Sequence, residues 1–275
     1  MKSVIDLAPV NFIFVALPCE ARPLIKAWNL KKITQKQAFA SYGNEFAVLT
    51  VSGIGKVAMA GAVAYTLAQY PDVAEPVMLN IGIAGHNRLP VGSCLLADRI
   101  ADADSGRRFY PQLPFAAPCP TRGLTTFAQA AAEYCGDYLR DMEASAFYET
   151  AVKFSSSELI HCLKVVSDNS ESPLANVTED SVADWIGASL PVVEALLTRL
   201  AELANSQPTP DRKLYREALG RFHFTASNAA KLQSVLNRWR LVYGEPADLN
   251  RIDAKNAKDL LAQMEALLAE KQFYL

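Results

Sequence analysis

The segment Leu159 to Val166 is apolar almost throughout, broken only by His161 and Lys164. Such a run, without polar alternation, predicts a strand buried on both faces, as in the middle of a parallel sheet. A sheet of that kind needs helices on both sides, so this one segment argues for a layered α/β fold. Ser167-Asp168 follows directly. That places a carboxylate just past the C-terminal end of the predicted strand, where open α/β sheets bind ligands.

The rest of the chain repeats the pattern. Asn11 to Leu17 and Phe46 to Val51 are short apolar runs, closed by Pro18 and by the Gly53-x-Gly55 turn. Val57 to Tyr70 reads as a small-residue helix. Pro76 to Ile81 and Ser93 to Ala97 read as further strands around a Gly82-to-Gly92 loop. Asp102 to Thr121 carries four prolines and reads as an irregular loop, of the kind that is functional or mobile. Asp184 to Asn205 is amphipathic at helical spacing, with Pro191 as a point of bending.

Ser206 to Pro210 has the composition of a linker. It divides a domain over residues 1–206 from a helical appendage over 211–275. In the appendage, helices are predicted over Asp211–Gly220, Ala226–Tyr243 and Ala254–Gln272, with Thr225 or Ser227 as a cap and Gly244 as a stop signal. From Arg212 to Arg240 seven basic residues face Glu217 alone, with Phe222, Phe224 and Trp239 interleaved. The plainer reading is a solvated face over buried aromatics. Nucleic acid is disfavoured as a partner but left open for these helices.

With 275 residues, 51% of them hydrophobic, the chain can bury a sizeable core. A net charge of −2 gives no global case for nucleic acid. No apolar run is long enough to span a membrane, and the N-terminus lacks a secretory pattern. Five cysteines, an odd count without C-x-x-C spacing, predict reduced thiols and a cytoplasmic protein. Three histidines disfavour a zinc site.

The chemistry concentrates in Arg140-Asp141-Met142-Glu143-Ala144-Ser145-Ala146 and Val165-Val166-Ser167-Asp168-Asn169. Glu143 opens a predicted helix, since Ala144, Phe147, Ala151 and Phe154 recur at helical spacing. Two carboxylates so placed can divide the work, one binding a diol and the other handling a proton. Each also has a plain structural reading, Asp168 as a turn cap and Glu143 as a helix-start acid favoured by the dipole; the same helix-start reading applies to Glu20, in the segment after the first predicted strand.

These two segments resemble the purine nucleoside phosphorylase and nucleosidase superfamily, most of all methylthioadenosine/S-adenosylhomocysteine nucleosidases. Three further segments agree in order: Ala16-Leu17-Pro18-Cys19-Glu20, Val51 to Val57, and Asn80-Ile81-Gly82-Ile83-Ala84-Gly85 with Leu89-Pro90-Val91-Gly92. The resemblance implies a three-layer α/β/α fold and cleavage of the N-glycosidic bond of an adenosine-type nucleoside with a 5′-substituent. It assigns Asp168 to protonate the purine at N7, oriented by Ser167, a type of catalysis worth about 10²- to 10⁴-fold. Glu143 would bind the ribose hydroxyls and Met142 would pack on the sugar. Glu20 would orient the attacking water. The backbone at Gly82 and Ala84 would approach the substrate, and Phe127 is the candidate to stack on the base. No metal or cofactor is implied, and a homodimer is, with Phe109 to Pro114 covering the 5′ side across its interface.

Water is the expected nucleophile. Glu20 stands where a phosphate site would want no acid, Arg22 lies a turn into the next helix, and Asn80 rather than arginine opens the third glycine turn. Three features depart from the nucleosidases: Ile83 in place of a serine, Lys164 in place of an arginine, and a short segment between Gly123 and Asp141. Phosphorolysis, or nucleoside binding without catalysis, are the alternatives.

Overall fold

A computed structural model describes residues 11–34, 38–71, 73, 75–130, 136–206 and 212–272. The chain forms two compact units, Met1–Ala204 and Asn205–Leu275.

The first unit is built on one mixed sheet. Its strands are β1 (Asn11–Val15), β2 (Lys31–Lys32), β3 (Ala40–Gly43), β4 (Ala47–Val51), β5 (Val77–Gly85), β6 (Cys94–Asp102), β7 (Arg108–Phe109), β8 (Thr121–Thr126), β9 (Leu139–Asp141) and β10 (Ile160–Asp168). The order is β10-β6-β8-β9-β5-β1-β4-β3-β2, with β7 on β6. β10 also pairs with β5. The strands β5, β10, β6, β8 and β9 therefore close on themselves, while β1 to β4 extend as an open flank. All nine residues of β10 are buried, as its apolar sequence requires.

Alternation along β1 shows how the layers form. Ile13 and Val15 pack into a core with Leu24 of α1 (Pro18–Ala27) and Ile186 of α4 (Glu179–Ser206). Phe12 and Phe14 face the other way, towards Met59 of α2 (Lys56–Ala68) and Phe147 of α3 (Ala144–Ala151). The Phe14 and Phe147 rings lie 5.8 Å apart. Period-2 side-chain direction thus gives one strand two cores, and helices cover both faces.

Three differences from the sequence reading bear on the site. β10 does not stop at Val166. It continues through Ser167 and Asp168, with an irregularity between Val166 and Asp168 that brings Asp168 opposite Gly85. Asp168 is therefore the last residue of the strand rather than a residue beyond it. Secondly, β5 and β6 run four and five residues past their expected ends at Ile81 and Ala97, because pairing with β10, β8 and β9 carries them on. Thirdly, α4 starts at Glu179 rather than Asp184.

The second unit has its own core. α5 (Arg212–Arg221), α6 (Ala226–Tyr243) and α7 (Ala257–Gln272) bury Leu214, Leu232, Leu236, Leu260, Met264 and Leu268 among themselves. The Thr225 hydroxyl accepts the Asn228 N–H at 3.3 Å, and Gly244 closes α6 at φ +73°. Leu267, on the same helix as Leu260, Met264 and Leu268, is 39% exposed. Of the expected linker, residues 207–210 lie outside the described residues. Among the described residues no helix is long and apolar enough to cross a membrane.

Candidate active site

The C-terminal ends of β1, β5 and β10 meet the N-terminal ends of α1 and α3, and the site residues come from these ends. Glu20 sits in the first turn of α1 and is 2% exposed. Its Oε2 accepts the N–H groups of Ala16 at 2.9 Å and Leu17 at 2.8 Å, satisfying donors that the helix start leaves over. Its Oε1 accepts the Ile83 N–H at 2.9 Å, tying α1 to β5. Burial pushes the Glu20 carboxyl above its ordinary range, although Lys164 and these N–H groups pull the other way. Gly82 is required by this close approach. A Cβ there would lie 2.8 Å from Glu20 Oε1 and 3.4 Å from Lys164 Nζ.

Glu143 immediately precedes α3. Its Oε1 accepts the N–H of Gly55 at 2.7 Å, joining α3 to the turn before α2. Gly55 adopts φ +99°, a conformation glycine enters without strain. Burial raises the Glu143 carboxyl to about 6; Lys164 lowers it and the neighbouring Asp141 charge adds to the rise.

Both glutamates feel one buried cation. Lys164 pairs with Gly82 across the β5–β10 ladder, and its side chain is 2% exposed. Its Nζ lies 2.9 Å from Asp141 Oδ2. Asp141 also accepts the Thr126 hydroxyl at 2.7 Å and the Ala144 N–H at 2.8 Å. Burial alone would lower the Lys164 ammonium, but Asp141, Glu143 and Glu20 outweigh it and hold the group raised and charged. Asp141 was missed by sequence reasoning, which took Lys164 only as a departure from the nucleosidases. A signal existed, since a lysine inside an apolar strand requires an acidic partner.

Asp168 lies over Gly85, where a Cβ would meet its Oδ2 at 2.8 Å. The Ser167 hydroxyl donates to Asp168 Oδ1, and the His86 N–H donates to the Asp168 carbonyl at 3.0 Å. His86 is buried. Its Nδ1 accepts the N–H groups of Arg88 and Leu89, so neutral His86 carries its proton on Nε2, 3.3 Å from Asp137 Oδ1. Burial pulls its pKa down.

The remaining expected residues are placed less directly. Met142 is half-buried between Asp141 and Glu143. Ala84 puts its side chain into the core beneath α2 and α3. Phe127 donates its N–H to the Asp141 carbonyl at 2.9 Å, and its ring centroid lies 5.5 Å from the Arg140 guanidinium carbon. Ile83 turns its side chain towards the α1-side core and contributes its N–H instead. Arg22 points away from this cluster, to Glu179 at 3.1 Å and Asp180 at 3.4 Å on α4. Among the described residues, no group of three His, Cys, Asp or Glu side chains could hold a metal ion.

A layered mixed sheet that closes at β5, with buried carboxylates at its strand ends, is the nucleoside phosphorylase/nucleosidase fold. No protein-family model and no curated relative matches the chain. Solved structures do. The Streptococcus pneumoniae MTA/SAH nucleosidase in complex with 8-aminoadenine superposes with a TM-score of 0.56 at 21% identity, covering 68% of this chain and 98% of its own. The Helicobacter pylori 5′-methylthioadenosine/S-adenosylhomocysteine nucleosidase gives 0.55 at 13% identity, over 70% of this chain and all of its own. The futalosine hydrolase of the same organism gives 0.53 at 13% identity, over 69% and 97%.

Proposed function

We propose that the protein hydrolyses the N-glycosidic bond of a 5′-substituted purine nucleoside. The observation that carries this reading is the pair of clearances along β5. Gly82 makes room for Glu20 and Lys164, and Gly85 for Asp168, so that buried acids flank one stretch of backbone.

Each acid then has a role that fits its surroundings. Gly55 holds one oxygen of Glu143, and the other accepts a ribose hydroxyl. Glu20 Oε1 receives a single backbone N–H, which leaves it an acceptor position for the attacking water. As the glycosidic bond breaks, positive charge grows on the ribose beside these carboxylates. Asp168 gives its proton to N7 of the departing base, and the Ser167 hydroxyl fixes the orientation of its carboxyl. Lys164 keeps Glu20 and Glu143 from repelling each other in a dry site.

The names of the neighbouring structures, two of them MTA/SAH nucleosidases, support a thioether or similar group at the 5′ position. The engagement of Arg22 with α4 supports water over phosphate. The test is a chromatographic assay of base and sugar released from a nucleoside panel. Free base and free sugar are expected with or without phosphate. Strict dependence on phosphate, with sugar 1-phosphate as product, overturns hydrolysis in favour of phosphorolysis. Binding without release makes the protein a nucleoside-binding module.

A further inference from the structure

Asp102 serves two helix starts at once. It is the last residue of β6 and is buried. Its Oδ1 accepts the Ser105 N–H at 2.8 Å. Its Oδ2 receives donors from two different elements. Lys56 Nζ, from the first residue of α2, lies 2.9 Å away, and the Ser145 hydroxyl, from the first turn of α3, lies 2.7 Å away. Lys56 also pairs with Asp104, whose side chain is exposed. Burial works to raise the Asp102 carboxyl, but Lys56, Ser105 and Ser145 outweigh it and hold the group below the usual carboxylate range. Lys56 and Asp102 are both largely shielded from water, which makes their bond stronger than a surface pair. The two donors flank the hydrogen bond that holds Glu143. Lys56 follows Gly55, whose N–H grips Glu143 Oε1, and Ser145 stands two residues after Glu143. Thr126, the register partner of Asp102, steadies the same turn of α3: its hydroxyl accepts the Ser145 N–H at 2.9 Å and donates to Asp141.

From this geometry we infer that Asp102 is a positioning residue for Glu143. One oxygen atom ties the residue after Gly55 to the residue two beyond Glu143, so it fixes the gap that the Gly55–Glu143 bond has to span. Gly55 and Glu143 are 88 positions apart, and nothing local in the chain sets that gap. Oε1 of Glu143 is pinned to Gly55, so the place of the pin decides where the second oxygen points. That second oxygen is the one given to a ribose hydroxyl. For its effect on substrate the inference rests on the ribose role of Glu143 proposed above; the positioning itself does not depend on it. A tie that only stabilised the fold would leave the Gly55–Glu143 bond unchanged when cut in a protein that still folds.

The test cuts each arm in the full-length protein and leaves Asp102 in place. Ser145→Ala removes one donor, Lys56→Met removes the other, and Lys56→Arg restores a cation. Circular dichroism reports folding, and if Lys56→Met does not fold, Ser145→Ala decides, since it loses only a hydroxyl. NMR of isotope-labelled protein follows the Gly55 amide proton, which a bond to a carboxylate shifts downfield. In Ser145→Ala, where the change lies on another element, this resonance should move upfield while the amides of β10 stay in place. Lys56→Met should move it likewise, and Lys56→Arg should bring it back towards the parent. Base release from 5′-methylthioadenosine and from its 2′,3′-dideoxy analogue reads the consequence. For the nucleoside, KM should rise about tenfold in the cut variants with kcat within about twofold, the pattern of a weakened binding contact. For the dideoxy analogue KM should not change. A Gly55 resonance unmoved in folded Ser145→Ala overturns the positioning role, whatever the rates. So does a KM that rises equally for both compounds, because the tie then serves the fold at large. If the parent releases no base from any nucleoside, the proposed hydrolysis fails, and the Gly55 resonance alone decides whether Asp102 positions Glu143.

Discussion

Lys164 is the residue on which the proposed site balances. A fully buried ammonium has lost its hydration and is tolerable only beside negative charge. Asp141 supplies that charge at 2.9 Å, while Glu143 and Glu20 contribute at longer range. Lys164→Met should therefore destabilise the fold by about 3–5 kcal/mol, since it leaves Asp141 buried without its counter-ion. Chemical denaturation measures it, and a loss under about 1 kcal/mol would show that the pair carries little. Asp168→Asn should abolish base release while leaving nucleoside binding nearly unchanged, because an amide keeps the shape but cannot give up a proton. Turnover within about threefold of the parent, where general acid catalysis is worth about 10²-fold or more, removes Asp168 from the mechanism. Glu143 titrates at about 6, above its ordinary 4.5. A group raised on folding stabilises the protein fully below its ordinary pKa, and that stability is lost as pH rises through the folded value. Glu143→Gln, neutral at every pH, should therefore melt less pH-dependently than the parent between about pH 4.5 and 6. Nucleoside binding should show the opposite trend in the parent, tightening as pH rises through about 6, because the diol needs the carboxylate. Parallel melting curves for parent and variant would remove Glu143 as the group responsible.

At the scale of elements, β5 decides where the carboxylates can go. Its two glycines are demanded by close approach rather than by backbone angle, since neither has positive φ. Gly85→Ala would drive a Cβ to 2.8 Å from Asp168 Oδ2, and Gly82→Ala would do the same to Glu20 Oε1. Each should cut base release by about 10²-fold or more through misplacement of the acid, as shifts of about 1 Å do in catalytic sites. A single-turnover assay on the folded variants checks this, and normal rates would mean that neither carboxylate needs its present position. The elements also show what was legible. β1, β4, β10 and α2 stood out because apolar runs and small-residue helices carry their own periodicity. β8 and β9, with the sequences Thr121 to Thr126 and Leu139-Arg140-Asp141, are short and polar. They become strands only because β6 and β5 offer them edges to pair with. The pairing of Arg140 with Gly85 depends on β9 and could not be read without it.

At the scale of the molecule, the two units have separate cores. Every residue proposed for chemistry precedes Pro173, within Met1–Ala204. A chain ending at Gln207 should therefore fold and keep base release, with altered oligomeric state or solubility. Light scattering and the release assay on both chain lengths test this. A folded but inactive truncated chain would make the helical unit part of the active site.

What the sequence by itself determined is local: buried strands from unbroken apolar runs, a cap for α6 at Thr225 or Ser227 with its Gly244 stop, and acids at helix starts. Those features depend on residues a few positions apart, so spacing alone reveals them. The tertiary structure decided which acid meets which base. Lys164 and Asp141 are 23 positions apart, and only the closure of β5, β10, β6, β8 and β9 sets them 2.9 Å from each other. Asp168 pairs with Gly85 across an irregularity in β10, and β9 pairs Arg140 with the same glycine. Strand register is a long-range choice, made by the packing of the whole sheet, and a shift of one residue turns a side chain to the other face.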